Sequence, residues 1–149
     1  MSRFFDRLGL LSAGAFVDAN CAQRGVALLQ YLASVDPNPS EYLLPLNKLL
    51  VGMDLDALFY LESPLTAREM DECDILLNAV IEHATVLNHM SIAGFRGSFL
   101  LRQGVLSTRD GAWLLQVERE TYDVVLERFP WSISWVRLPW MSLPLRVEW

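Results

Sequence analysis

The chain has 149 residues, 52% of them apolar and 20% charged, which suffices for one domain with a buried core and excludes two of ordinary size. Eighteen acidic residues against twelve basic ones leave a formal charge of −6, the wrong sign for a phosphate-neutralising surface, so nucleic acid is not expected as a partner. No apolar run reaches the roughly 18 residues of a spanning helix, and Met1-Ser2-Arg3-Phe4-Phe5-Asp6-Arg7 lacks the continuous apolar stretch of a secretory signal.

Phe4, Phe5, Leu8 and Leu11 share one side of a short amphipathic helix that Gly14 is expected to end. Asp18 is a good N-cap for the next helix, whose apolar positions Cys21, Leu28, Leu29 and Leu32 fall on one face and which should stop before Pro37 and Pro39. Ser40 can cap a third helix through Leu43, Leu46, Leu49 and Leu50, with Pro45 near its first turn, Gly52 as its C-cap, and Asn47 and Lys48 on its polar side. Thr66-Ala67-Arg68-Glu69 is a capping box, in which hydroxyl and carboxylate each satisfy an orphan backbone donor. It opens a core helix through Met70, Cys73, Leu77, Val80, Ile81 and Ala84. Ser91 caps a last helix that carries Ile92, Phe95, Phe99 and Leu100 inward, with Gly94 and Gly97 free to pack closely.

From Gly104 the apolar period shortens from near 3.6 to 2, the mark of half-buried strands. Val105-Leu106-Ser107 and residues 112–118 flank an Asp110-Gly111 turn as an antiparallel hairpin, with Trp113, Leu115 and Val117 facing inward. Tyr122, Val125, Leu126 and Phe129 line one side of a short helix that Pro130 stops. Ile133 to Val136 and Leu145 to Trp149 read as two more strands, the direction of the last one open. Together these elements predict an α+β fold in a single domain over 1–149: four or five helices in 3–103, packed with a small, mainly antiparallel sheet in 104–149.

Chemistry is harder to place. His83 and His89 stand six apart, which fits no zinc motif, so no metal is expected and His83 reads as a helix-end imidazole. Cys21 and Cys73 are far apart, form no CxxC, and read as reduced thiols. There is no GxSxG elbow and no phosphate-cradling glycine loop, and the carboxylates Glu69, Asp71, Glu72, Asp74 and Glu82 describe a solvated helix face. No catalytic residue and no cofactor is expected. All five tryptophans lie in the last 37 residues: Trp113 and Trp135 alternate into strands as core, while Trp131, Trp140 and Trp149 border prolines or the chain end. For those three, rim packing of a small sheet and anchoring of a protein interface both remain open.

Several segments taken together resemble the C-terminal region of contractile injection system tape measure proteins. They are Phe5-Asp6-Arg7-Leu8-Gly9-Leu10-Leu11, residues 23–32, Leu46-Asn47-Lys48-Leu49-Leu50-Val51-Gly52, residues 76–83, residues 91–100, Leu138-Pro139-Trp140-Met141 and Val147-Glu148-Trp149. The chain departs from the family pattern at Val51, where a cysteine is usual, and at Ala84, where a tryptophan is usual. Family members are usually much longer, so the resemblance implies a C-terminal module of a longer protein.

It also implies a structural component of a phage-tail-like particle, assembled in the cytoplasm and then held within the particle, whose full-length relatives set tube length. A folded chain of this length has a radius of gyration of about 15 Å, and even one continuous helix would reach only about 220 Å. A compact module is therefore not the ruler. The expected role is a non-enzymatic anchor that binds a tube, hub, cap or baseplate component, with Trp131, Trp140, Trp149, Asn47 and Lys48 as candidate contacts. The alternatives are a small hydrolase or peptidase using His83 or His89, and an adaptor or chaperone that holds a partner before loading.

Overall fold

Phe4 and Phe5 are the buried side chains of the first element, α1 (Ser2–Arg7), which gives way to Gly9 at φ +72°. The chain does not run helically to Gly14. It doubles back in a hairpin, β1 (Leu11–Ser12) and β2 (Ala15–Phe16), across Ala13 and Gly14, both at positive φ. The structure, a computed structural model, describes residues 1–36, 39–87 and 89–149. It divides into one unit of Met1–Ile75 with Leu138–Ser142 and another of Leu76–Arg137 with Leu143–Trp149.

In the first unit Asp18 caps α2 (Ala19–Ser34), accepting the Cys21 N–H at 2.7 Å. Leu28, Leu29 and Leu32 are buried as the spacing predicts, and Val35 ends the helix in the left-handed region. Pro37, which the sequence offered as a stop, lies outside the described residues. Gly25 sits in the middle of α2 because a Cβ there would come within 3.0 Å of Phe16 and Val51. Ser40 precedes a 3-10 turn, Glu41–Leu43, and Pro45 is the first residue of α3 (Pro45–Val51), the position where its missing N–H costs nothing. Gly52 closes α3 in the left-handed region.

Residues 53–65 then cross back without helix or strand as a strap held by side chains. The Gln23 amide grips it on both sides of Phe59, donating to the Leu58 carbonyl and accepting the Tyr60 N–H. Arg24 donates to the Ser63 and Pro64 carbonyls, and Glu41 accepts the Phe59 N–H. The capping box beyond the strap is formed: the Thr66 N–H and hydroxyl donate to Glu69, and the Glu69 N–H donates back to the Thr66 hydroxyl. It starts α4 (Ala67–His83).

The second unit takes over within α4, where Leu77 and Ile81 are buried. Ser91 caps α5 (Ile92–Phe95) by accepting the Gly94 N–H, and the helix widens into a π turn, Arg96–Leu100. That widening turns Leu100 outward, against the predicted inward face, and Gly97 has no close neighbour to accommodate.

β3 (Gly104–Arg109) and β4 (Ala112–Val117) pair antiparallel across Asp110 and Gly111, both at positive φ as a type I′ turn requires. Ala112 and Leu114 are the buried residues of β4, whereas Trp113, Leu115 and Val117 are only half-buried, so the more buried face of the strand is the opposite of the one predicted.

After a 3-10 helix, Thr121–Arg128, come β5 (Trp135–Val136) and β6 (Leu145–Glu148), in sheet order β3-β4-β6-β5. β6 runs parallel to β4 and antiparallel to β5. Parallel pairing needs a long crossover, and the stretch between β4 and β6 supplies it. Trp135 is exposed on the edge strand, which corrects its reading as core. Helices and two sheets make this an α+β fold.

Candidate functional site

Among the candidate contacts, Trp131 is the one left exposed, directly after a 3-10 helix and Pro130. The 3-10 helix before it is fixed by Asp123, which is buried and accepts two bonds from the Arg102 guanidinium, at 2.8 and 3.0 Å, and one from the Glu120 N–H. The guanidinium bonds hold the Asp123 carboxyl below its usual range against the opposing effect of burial, and the same pairing raises Arg102. Arg102 also donates to the Ser98 and Glu118 carbonyls and lies 5.5 Å from the Tyr122 ring centre.

The predicted short helix is present over 121–128 as a 3-10 helix, with Asp123 its buried residue, Tyr122 exposed, and Val125, Leu126 and Phe129 half-buried. Arg102 and Asp123 stand 21 residues apart, so no local pattern announces their pairing.

Phe129 leaves the 3-10 helix in extended backbone, as a residue before proline must. Its ring sits 6.1 Å from Phe99, which in turn meets Phe95 and Tyr122. Trp131 stands edge-on to Phe129 at 5.6 Å and stacks on the His83 imidazole at 5.8 Å with the planes 16° apart. It keeps 36% of its surface exposed. His83, at the end of α4, is thus a stacking platform, a role its helix-end position alone did not disclose.

Three of the other candidates have internal partners. Trp140 donates its indole N–H to the Leu50 carbonyl at 2.9 Å and packs edge-on against Phe16 and beside Phe5. Asn47 donates to the Gln30 side chain at 2.9 Å. Lys48 does not lie on a polar face: it is 2% exposed, bonded to Glu41 and to the Leu55 carbonyl. The sequence misplaced it because both partners come from outside its helix. Trp149, half-buried, follows β6. Trp140, Asn47 and Lys48 belong to the first unit, Trp131 and Trp149 to the second.

Among the described residues no three His, Cys, Asp or Glu side chains group as metal ligands, and no helix is long and apolar enough to cross a membrane. His89 is exposed, at φ +61°.

No curated protein and no solved structure matches the chain. The family model described as contractile injection system tape measure protein matches residues 1–149. The chain therefore belongs to the contractile injection system tape measure protein family.

Proposed function

We propose that this chain is a folded anchoring module, which docks a tape measure protein to a tube-end, hub, cap or baseplate component through the surface around Trp131. Family membership gives the coarser part of this reading, a structural and assembly role within a contractile injection system particle. The finer part rests chiefly on one observation: a tryptophan held by stacking on His83 and an edge contact with Phe129 while a third of its surface stays open. Such a side chain loses little freedom on docking, which is why tryptophans dominate interface energetics. Trp149 is the second proposed contact.

Element lengths also support an anchor. The longest helix, α4, has 17 residues and so rises only about 25 Å, too little to gauge a tube. Trp140, Asn47 and Lys48 make their bonds within the first unit.

The test is binding of the purified 149-residue chain to separately purified tube, hub, cap and baseplate proteins of the same particle. Trp131→Ala, with its circular dichroism spectrum unchanged, should weaken one of these complexes at least tenfold, the loss typical of an interface hot spot. Binding of equal strength by the variant, or binding to none of the components, overturns the anchor reading.

A further inference from the structure

The strap of residues 53–65 presents a second surface, on the first unit, that the tape measure reading does not use. Exposure alternates along it: Leu55, Ala57, Phe59 and Leu61 are half-buried, while Asp54, Asp56, Leu58, Tyr60 and Glu62 are exposed. Leu58 and Tyr60, two residues apart on the outward side, are 79% and 67% exposed. These are unusually bare for large apolar side chains on a segment whose backbone is pinned by Gln23, Glu41 and Arg24. Tyr42, next to the tethering Glu41, is 78% exposed.

Beside Tyr60 lies a depression of about 150 Å3 with Asp18, Asn20, Arg24 and Glu62 in its lining. Its one cation is already committed. Arg24 spends its guanidinium on Glu69 and on the Ser63 and Pro64 carbonyls. The remaining charge is carboxylate: Asp18, which accepts the Cys21 N–H, and Glu62, which accepts one bond from the Asn20 amide, both keeping a net negative charge at the depression, and Asp54 and Asp56 in the turn before Leu58. Asp18 is held below the usual carboxylate range by the Cys21 N–H it accepts.

We propose that this strap is a docking site for an extended basic segment of a partner protein, which rests an apolar side chain on Leu58 and places a lysine or arginine in the depression against the Tyr60 ring. Charge complementarity selects the occupant: apolar anchors flanked on both sides by carboxylates favour a cationic partner and repel an acidic one. An aromatic face with carboxylates beside it suits an ammonium or guanidinium group doubly, through cation–π attraction and ion pairing. Because the strap is positioned by Gln23, Arg24 and Glu41 and not by the aromatic cluster of the second unit, this site stands or falls independently of Trp131.

The probe is a fluorescein-labelled peptide of alternating lysine and leucine, titrated with the whole 149-residue chain and read by anisotropy, beside its glutamate–leucine counterpart. The basic peptide should bind, and binding should weaken steeply with added salt. Leu58→Ser, which alters a side chain already in water, and Tyr60→Ala should each lower affinity at least tenfold. Asp54→Asn/Asp56→Asn/Glu62→Gln should flatten the salt dependence, while Asp71→Asn/Glu82→Gln/Glu127→Gln, removing as many exposed charges elsewhere, should leave binding unchanged.

Equal binding of the acidic peptide, equal weakening by the two triple variants, or loss of binding with Trp131→Ala in place of Leu58→Ser overturns the proposal. So does a concentration-dependent dimer in sedimentation that Leu58→Ser abolishes, since it makes a second copy of the chain the occupant.

Discussion

Trp140 donates its indole N–H to the carbonyl of Leu50, 90 residues earlier in the chain, and so ties Leu138–Ser142 to the C-terminal turn of α3. The same turn supplies Gly52, at φ +76°, where a Cβ would stand 2.9 Å from the Trp140 carbonyl oxygen.

Both ends of this tie are expected to be sensitive. Trp140→Ala removes the bond and the Phe5 and Phe16 contacts and should cost about 3 kcal/mol. Gly52→Ala meets positive φ and a backbone clash together and should cost about 2 kcal/mol. Urea unfolding monitored by circular dichroism measures both, and a Gly52→Ala variant as stable as the parent contradicts the close approach.

The Lys48–Glu41 pair predicts an asymmetry. Lys48 is buried and its partner is half exposed, so Glu41→Gln leaves a buried ammonium without its counter-charge. Lys48→Met removes the charge altogether and leaves an apolar stem in place. Glu41→Gln should cost about 1–2 kcal/mol, after discounting for the water at Glu41, and Lys48→Met less. A double-mutant cycle checks this, and a larger loss in Lys48→Met reverses the interpretation.

Glu69 sets a pH dependence. Burial pushes its carboxyl up, but bonds from Arg24 and from the Thr66 hydroxyl and N–H outweigh that and bring it from 4.5 down to about 2. A carboxyl lowered in the folded state stabilises fully above its unfolded value, and that stability is lost as pH falls through the folded one. The stabilisation should therefore hold above about pH 4.5 and disappear between there and about pH 2. Glu69→Gln should cost about 2 kcal/mol at neutral pH, and its stability curve should converge with the parent's near the bottom of that window. Parallel curves down to pH 2 rule this assignment out.

Val35 ends α2 at φ +60°, a conformation that a β-branched residue occupies only under strain. Val35→Gly should raise stability by about 1 kcal/mol, since glycine is the usual residue for this position. Thermal unfolding gives the sign directly, and a destabilised variant shows that the exposed valine contributes a contact worth more than the strain.

What the sequence discloses depends on how far apart the partners are. Asp18, the Thr66–Glu69 box, Gly52 and Asp110-Gly111 act on backbone within a few residues, and all four do in the structure what their spacing predicts. Lys48 reads as a polar-face residue because nothing inside α3 reveals that Glu41 and Leu55 close over it. The hairpin at Ala13 stays hidden because alanine is not a customary left-handed residue, and the parallel place of β6 cannot be read from its own four residues. At the candidate site, Pro130 draws attention to Trp131, but the His83 stack and the Arg102–Asp123 support join distant segments. The alternating exposure of the strap from Met53 to Leu61 does not show in the sequence, where Ala57 to Leu61 are all apolar. It emerges only where Gln23 and Arg24, distant in the chain, hold the backbone of the strap.

The place of β6 between β4 and β5 also orders events during synthesis. The strand at the heart of the four-stranded sheet is translated after all its neighbours, and the segment carrying Trp140 emerges only shortly before it. Neither unit can therefore reach its final packing on the ribosome until residues 138–149 have emerged. A nascent polypeptide ending before Leu138 lacks the residues that complete either unit, so a prematurely terminated product should be left open to proteolysis instead of competing with intact chains for a place in the particle.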